Sequence, residues 1–126
     1  MTLLPYFHVA AGFPSPAADY IEPPIDLNQL LVRCPAATVL CRVSGDSMSK
    51  DGISDGDIVI VDKSIAPAHG KIAVVTYQGE LMLKRIHVGR GSLMLLSSNP
   101  AYPAIELFEG DDLTVWGIVA YVIKKC

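Results

Sequence analysis

Short apolar runs separated by turn residues dominate the chain from residue 37 onwards. Six of these runs are rich in branched and aromatic residues: TVLCRV, DIVIVD, KIAVVTY, ELMLKRIHV, SLMLL and LTVWGIVAYVI. Turn-forming pairs such as Asp51-Gly52, Asp55-Gly56 and Gln78-Gly79 lie between them. Strands at this spacing are typical of antiparallel sheets, so the pattern predicts a mainly β fold, either a small sandwich or a partly closed barrel.

Residues 1–24 have a different pattern. The segment FPSPAADYIEPP contains four prolines in twelve residues. Proline restricts its own backbone and that of the preceding residue to extended conformations. The sequence therefore predicts a flexible, extended N-terminal arm over residues 1–24, without a core of its own, and one folded domain over residues 25–126.

One short helix is predicted where the arm meets this domain. Asp26 can cap its first turn, and Gln29 follows three residues later. Apolar residues at helical spacing then fall on one face: Leu27, Leu30 and Leu31. Pro35 limits the helix on its C-terminal side, because proline cannot continue it.

Composition and charge narrow the possible partners. The chain has 126 residues, of which 51% are hydrophobic, and its net charge is −3. This length suits a single packed domain. A negative charge disfavours strong direct binding to nucleic acid, which needs a basic surface. No apolar run reaches the roughly 18 residues of a membrane-spanning helix, so we expect no membrane association.

The cysteines indicate neither a disulfide framework nor a metal site. There are three of them, Cys34, Cys41 and Cys126, and their spacing does not repeat. Reduced thiols in a cytoplasmic protein are the simplest interpretation. We expect no metal ion and no cofactor.

A candidate nucleophile lies in the polar segment after the first predicted strand of the domain. Ser47 stands in the sequence Gly45-Asp46-Ser47-Met48-Ser49, at a corner between a strand and a turn. Backbone N–H groups at such a corner can converge on an oxygen atom. The elbow motif of α/β-hydrolases is absent, because its last glycine is replaced by Ser49. A simple turn or capping role for Ser47 stays open on these residues alone.

A serine nucleophile needs a base, and no histidine is well placed for this role by sequence. His8 falls in the arm and His69 in a predicted turn, and with His87 they form no recognisable Asp-His-Ser order. Lys50 lies three residues after Ser47, the spacing of β-lactamases. That arrangement needs a continuous helix, which the following Asp-Gly pair interrupts.

Lys84 is the second candidate base. In the predicted strand GELMLKRIHV, Met82, Lys84 and Ile86 share one face, and Arg85 points the opposite way. An apolar environment would lower the pKa of Lys84 and make the neutral amine available as a base. An ordinary Lys-Arg pair on an exposed edge strand is the alternative.

Five segments in collinear order resemble the LexA-like family of self-cleaving serine peptidases: AAGFPSPAADY, IDLNQLL, SGDSMSKDGISDGDIVIVD, GELMLKRI and VWGIVAYVI. The resemblance runs from about residue 10 to near the C-terminus. It implies the LexA-like peptidase fold, Ser47 as the nucleophile and Lys84 as the general base. It also implies self-cleavage between Ala11 and Gly12. Backbone N–H groups of Asp46 and Ser47 would then stabilise the oxyanion.

The same resemblance implies partners. The RecA nucleoprotein filament would stimulate self-cleavage, and the trimmed chain would form a homodimer. This dimer would serve a UmuC-like Y-family DNA polymerase in error-prone translesion synthesis, within the SOS response to DNA damage. A different class of function stays open, namely a non-catalytic partner-binding module of a polymerase or repressor-like complex.

Overall fold

The structure is a computed structural model that describes residues 2–12 and 21–126. It divides into two compact units, residues 1–33 and residues 34–126. Pro14 and Pro16, which contributed to the prediction of an extended arm, lie outside the described residues. Within the described part of the chain, no helix has both the length and the apolar character needed to cross a membrane.

The first unit contains strands β1 (Leu4–Phe7) and β2 (Ile21–Ile25), which pair antiparallel, and helix α1 (Leu27–Leu31). The strand residues are exposed apart from Ile25, which is half-buried, so the unit has extended backbone and no core at this point. The pairing of the two strands was not predicted.

Helix α1 begins where the sequence predicted it. The Asp26 side chain accepts a hydrogen bond of 3.0 Å from the backbone N–H of Asn28, which satisfies one free donor of the first turn. The helix ends at Leu31, before Pro35. Pro35 instead begins a 3₁₀ helix, Pro35–Ala37.

The second unit is built on seven antiparallel strands. Their order across the sheet is β3-β4-β9-β5-β6-β7-β8. The strands are β3 (Thr38–Arg42), β4 (Ile58–Asp62), β5 (Ile72–Tyr77), β6 (Glu80–Gly89), β7 (Ser92–Leu96), β8 (Ile105–Leu107) and β9 (Leu113–Ile123). A second 3₁₀ helix, Ser49–Asp51, lies between β3 and β4. The predicted mainly β fold is confirmed, and all six predicted strands are present.

The sheet carries a hydrophobic cluster on each face. Successive residues of a strand point to opposite faces, and Val74 belongs to one cluster while its neighbours Ala73 and Val75 belong to the other. The first cluster is completed by Met48, Ile53, Val59 and Val61. The second is completed by Ile86, Leu95 and Ile118. Because Met48 is in the first cluster, the core anchors the turn that carries Ser47.

Candidate active site

The turn that carries Ser47 is held by backbone and core contacts. The N–H of Val43 donates to the carbonyl oxygen of Asp57 at 2.8 Å, and the N–H of Gly45 donates to the Asp55 carboxylate at 2.8 Å. Gly45 has a φ of +91°, a conformation that favours glycine. Met48 is buried directly after Ser47, so Ser47 itself is fixed at the surface of the core and is half-buried.

Lys50 does not share the surroundings of Ser47. It lies in the 3₁₀ helix Ser49–Asp51 and is exposed. The helix ends after one turn because Gly52, at a φ of +80°, adopts the left-handed conformation. The interruption predicted for the Ser47-x-x-Lys50 spacing is therefore present.

Lys84 projects from β6 into a buried environment. It lies opposite Ala73 of β5, and only 6% of its surface is exposed, the same fraction as for Ile86 on the same face. Burial lowers the pKa of Lys84, because the ammonium form loses its hydration. Among the described residues Lys84 forms no ion pair that would offset this loss. The face shared by Met82, Lys84 and Ile86 is thus buried at Lys84 and Ile86 and half-buried at Met82, which excludes the alternative of an exposed edge.

Ser47 and Lys84 line the same cleft, which has a volume of about 420 Å³. Its walls are partly apolar, with Met48, Val59 and Val74 from the first core cluster. The lining also includes Arg42, Ser44, Glu80, Leu81, Met82 and Tyr102. The cleft therefore combines a hydroxyl group, a buried amine and an apolar surface, which is the set of groups that a serine–lysine peptidase needs.

Two backbone N–H groups beside Ser47 are available as donors. In the described part of the chain, the N–H groups of Asp46 and Ser47 have no acceptor. Their carbonyl groups are engaged, since Asn99 donates from its backbone to Ser47 at 3.0 Å and from its side chain to Asp46 at 3.2 Å. Unpaired donors at this turn are the kind of group that the expected oxyanion role of Asp46 and Ser47 would require.

The segment that follows β7 contributes contacts that the sequence did not predict. The Nζ of Lys84 donates to the Oγ of Ser97 at 2.5 Å, and lies 5.4 Å from the centroid of the Tyr102 ring. The Tyr102 hydroxyl donates to the Asp46 carboxylate at 2.7 Å, and this hydrogen bond raises the pKa of Tyr102. The sequence shows that Ser97 directly follows a predicted strand. It does not show that Ser97 contacts Lys84, because this depends on how strands β6 and β7 are aligned.

The histidines in the second unit lie outside the cleft. His69 accepts a hydrogen bond of 2.9 Å at Nδ1 from the backbone of Val88, and its ring lies edge-on to that of His87 at 5.0 Å. Neither residue lines the cleft with Ser47. His69 lies in an exposed turn, as predicted, whereas His87 lies in strand β6 and is half-buried.

The expected cleavage site lies in the first unit. Ala11 and Gly12 are both exposed. Apart from the neighbours of Gly12 along the chain, no heavy atom of the described residues lies within 4 Å of the position that a Cβ of Gly12 would take. Both residues of the expected cleavage site are thus accessible to solvent within the first unit. Within the described ranges, no group of three or more His, Cys, Asp or Glu side chains could hold a metal ion.

The chain is similar to a known protein family and to several characterised proteins. The model of the Peptidase S24-like family matches residues 4–120. The chain is 43% identical over 115 residues to protein SamA of Salmonella typhimurium, covering 91% of this chain and 79% of SamA. It is 35% identical over 121 residues to protein MucA of Escherichia coli, covering 94% and 82%. LexA repressor 2 of Pseudomonas syringae is 35% identical over 124 residues, covering 93% of this chain and 57% of the repressor.

Proposed function

We propose, from the premise that this chain belongs to the Peptidase S24-like family, that it is a self-cleaving serine peptidase. Ser47 is the nucleophile, Lys84 is the general base, and the bond cut is the one between Ala11 and Gly12. The observation that carries the proposal is that Ser47 and the buried Lys84 line one cleft. A serine needs a neutral base at hand, and burial supplies one by lowering the pKa of Lys84.

The chemistry follows the acyl-enzyme route. The neutral amine of Lys84 takes the hydroxyl proton of Ser47 as its oxygen attacks the carbonyl carbon of Ala11. The N–H groups of Asp46 and Ser47 donate to the oxyanion of the tetrahedral intermediate. The ammonium of Lys84 then protonates the leaving amine of Gly12, which leaves an ester between Ser47 and the N-terminal fragment. Water hydrolyses this ester, with Lys84 again as the base.

The local structure of the arm supports its role as the substrate. Its described residues have extended backbone in β1 and β2, and their side chains are exposed. Extended segments are the form in which peptidases and other peptide-binding clefts take their ligands. Ala11 and Gly12 present little bulk at the bond to be cut. Each chain then cleaves itself once, because the arm is consumed.

The wider role follows from the UmuD-like character of the chain, which its similarity to SamA and MucA supports. We infer that the RecA filament stimulates cleavage by favouring a state in which the arm is bound in the cleft with Ser47 and Lys84. The trimmed chain then forms a cytoplasmic homodimer that serves a UmuC-like Y-family polymerase in error-prone synthesis past DNA damage. The net charge of −3 agrees with contacts to proteins rather than to nucleic acid.

The test is incubation of the full chain at alkaline pH, where Lys84 loses its proton without help from a partner. Mass spectrometry should show slow loss of the first 11 residues and a new N-terminus at Gly12. Ser47→Ala and Lys84→Ala should each abolish this loss. Lys50→Ala is the matched control, because Lys50 is close to Ser47 in sequence but exposed; its rate should equal that of the wild type.

The outcomes separate the functions. A chain that stays intact at every pH, and also with activated RecA filament, contradicts the proposal and favours a non-catalytic partner-binding module. If cleavage persists in Lys84→Ala but is lost in Ser47→Ala, only the assignment of Lys84 as the base is contradicted. Many turnovers on an added peptide would instead indicate a peptidase that processes other proteins.

A further inference from the structure

The hydroxyl group of Ser97 is the only hydrogen-bond partner of the Lys84 amine among the described residues. Strands β6 and β7 pair antiparallel, with Arg85 opposite Leu96. One step further along this register, Lys84 falls opposite Ser97, the first residue after β7. The contact is therefore set by the pairing of two strands and not by a mobile surface loop.

The other groups near Lys84 are poor partners for its N–H bonds. The ring of Tyr102 lies 5.4 Å from Nζ, but its hydroxyl is engaged by Asp46. Arg42 and Glu80 are the charged residues that line the cleft with Lys84, and both are exposed. No carboxylate forms an ion pair with Lys84 in the described part of the chain. The direction of the amine therefore depends on Ser97.

A neutral amine has two N–H bonds and one lone pair, and a general base acts only through the lone pair. If rotation about the Cε–Nζ bond is free, the lone pair faces the nucleophile for only part of the time. A hydrogen bond from one N–H to a fixed oxygen restricts this rotation. Ser97 has such an oxygen, at 2.5 Å from Nζ.

We propose that Ser97 is a positioning residue: its Oγ accepts an N–H bond of Lys84 and thereby directs the lone pair of the amine into the cleft toward Ser47. This inference rests on the proposed function, because it assigns a role within the same reaction. In this role Ser97 takes up no proton and forms no bond to the substrate. Its effect reaches the reaction only through Lys84.

The segment after β7 also contacts the nucleophile. Two residues beyond Ser97, the backbone N–H of Asn99 donates to the carbonyl oxygen of Ser47 at 3.0 Å. The Asn99 side chain donates to the carbonyl oxygen of Asp46 at 3.2 Å. One short stretch of chain thus binds the amine at one end and the backbone of the nucleophile at the other. Ser97 consequently fixes Lys84 relative to Ser47, and not only relative to its own strand.

The experiment measures self-cleavage of the full chain from about pH 7 to about pH 11, a range that brackets titration of a lysine with a lowered pKa. Ser97→Ala should lower the plateau rate at alkaline pH about tenfold, a fraction of the full effect of a general base. The midpoint of the profile should move to lower pH, because a hydroxyl acceptor stabilises the ammonium more than the amine. Ser97→Thr, which keeps the hydroxyl, should recover most of the rate.

Ser98→Ala is the matched control. Ser98 is adjacent, and its hydroxyl accepts from the backbone N–H of Asp51 at 3.1 Å rather than from Lys84. Its plateau and midpoint should both match the wild type. If Ser97→Ala does not fold, Ser97→Cys replaces it in the experiment, because cysteine has a similar size but its sulfur is a weak hydrogen-bond acceptor.

Three results would contradict either this inference or the proposed function on which it rests. If the wild type cleaves and Ser97→Ala shows the same plateau and midpoint, Ser97 does not position Lys84. If Ser98→Ala loses as much rate as Ser97→Ala, the loss is structural and the inference fails. If the wild type does not cleave at any pH, the proposed function fails first. In that case, NMR titration of the Lys84 side chain in the wild type and in Ser97→Ala shows directly whether the substitution shifts the titration midpoint of Lys84.

Discussion

Arg85 and Asp51 form an ion pair in which a guanidinium nitrogen lies 2.9 Å from a carboxylate oxygen. Arg85 directly follows Lys84 in β6, and Asp51 is the last residue of the 3₁₀ helix that follows the Ser47 turn. Arg85 also donates to the carbonyl oxygen of Gly70. The pair therefore joins the strand that carries the proposed base to the 3₁₀ helix that follows the turn of the proposed nucleophile.

The first prediction concerns this ion pair. Arg85→Gln and Asp51→Asn, alone and together, should give a coupling of about 0.5–1 kcal/mol in the free energy of unfolding, because both side chains are partly exposed and solvent screens them. Each single variant should also slow self-cleavage a few-fold at neutral pH. Urea unfolding of the four proteins measures the coupling. A coupling of zero would mean that the pair does not join the two elements in solution.

The second prediction concerns the pH dependence of the reaction. Only the neutral form of Lys84 can accept the proton of Ser47, so the rate of self-cleavage should rise with pH and then level off. Because burial lowers the pKa of Lys84, the midpoint of this rise should lie below 10.5, the ordinary value for lysine. Rates measured by mass spectrometry across the pH range give the midpoint. A midpoint at the ordinary lysine value would contradict a buried base.

The third prediction uses stability to detect the same titration without any reaction. The pKa of Lys84 is lower in the folded state than in the unfolded state, so the unfolded chain binds more protons between the two values. Stability must therefore increase as pH rises through that interval. Lys84→Met removes the titrating group and should stabilise the fold more at neutral than at alkaline pH. Urea unfolding of Ser47→Ala, with and without Lys84→Met, avoids interference from cleavage.

The sequence predicted the strands well because their periodicity and their turn residues agree. It also predicted the face of Lys84, since alternation in a strand places it between Met82 and Ile86. The register between strands depends on distant contacts, and for this reason Ser97 was not identified as the partner of Lys84. Strand β8 was missed because its segment, Ile105–Leu107, is too short to show an alternating pattern.

The first unit shows a different limit of prediction. Two of the arm's prolines, Pro23 and Pro24, lie in strand β2, where the backbone is extended. They gave no information on pairing, because a two-stranded sheet of exposed residues has no alternation of burial that a sequence could show. The roles of Ser47, Lys84, Ala11 and Gly12 came from the family resemblance, and they stay predictions until cleavage is measured.

The fourth prediction concerns acid stability. The Asp57 carboxylate accepts from Lys124 at 2.5 Å and from the backbone of Ser54 at 2.8 Å, and these contacts lower its pKa. A carboxyl group with a lowered folded-state pKa stabilises the fold above its unfolded-state pKa, and this contribution disappears as pH falls through the folded-state value. Asp57→Asn should therefore be less stable than the wild type at neutral pH.

The difference between Asp57→Asn and the wild type should shrink as pH falls below about 4, the ordinary range of an aspartate. Thermal unfolding at several pH values measures it. Asp112→Asn, at an exposed position next to β9, is the control, because it removes a carboxylate but leaves the contacts of Asp57 with Lys124 and Ser54 in place. A constant difference between Asp57→Asn and wild type at all pH values would show that Asp57 contributes no charge-dependent stability.

The fifth prediction concerns the limited space beside Gly117 in strand β9. Gly117 is buried where β9 pairs with β5 at an irregular register, and a Cβ added there would lie 2.6 Å from a methyl carbon of Val61. Val61 is almost fully buried in the first core cluster, so it has little room to move. Gly117→Ala should therefore lower the free energy of unfolding by about 1–3 kcal/mol, the usual cost of overpacking.

Val61→Ala provides the internal check on that explanation, because it removes the methyl carbon that the new Cβ would meet. Alone it should destabilise the fold by leaving a cavity. Combined with Gly117→Ala, it should cost clearly less than the sum of the two single changes, since each substitution relieves the defect made by the other. Urea unfolding of the four proteins gives both numbers. Strict additivity would show that the cost of Gly117→Ala does not come from the contact with Val61.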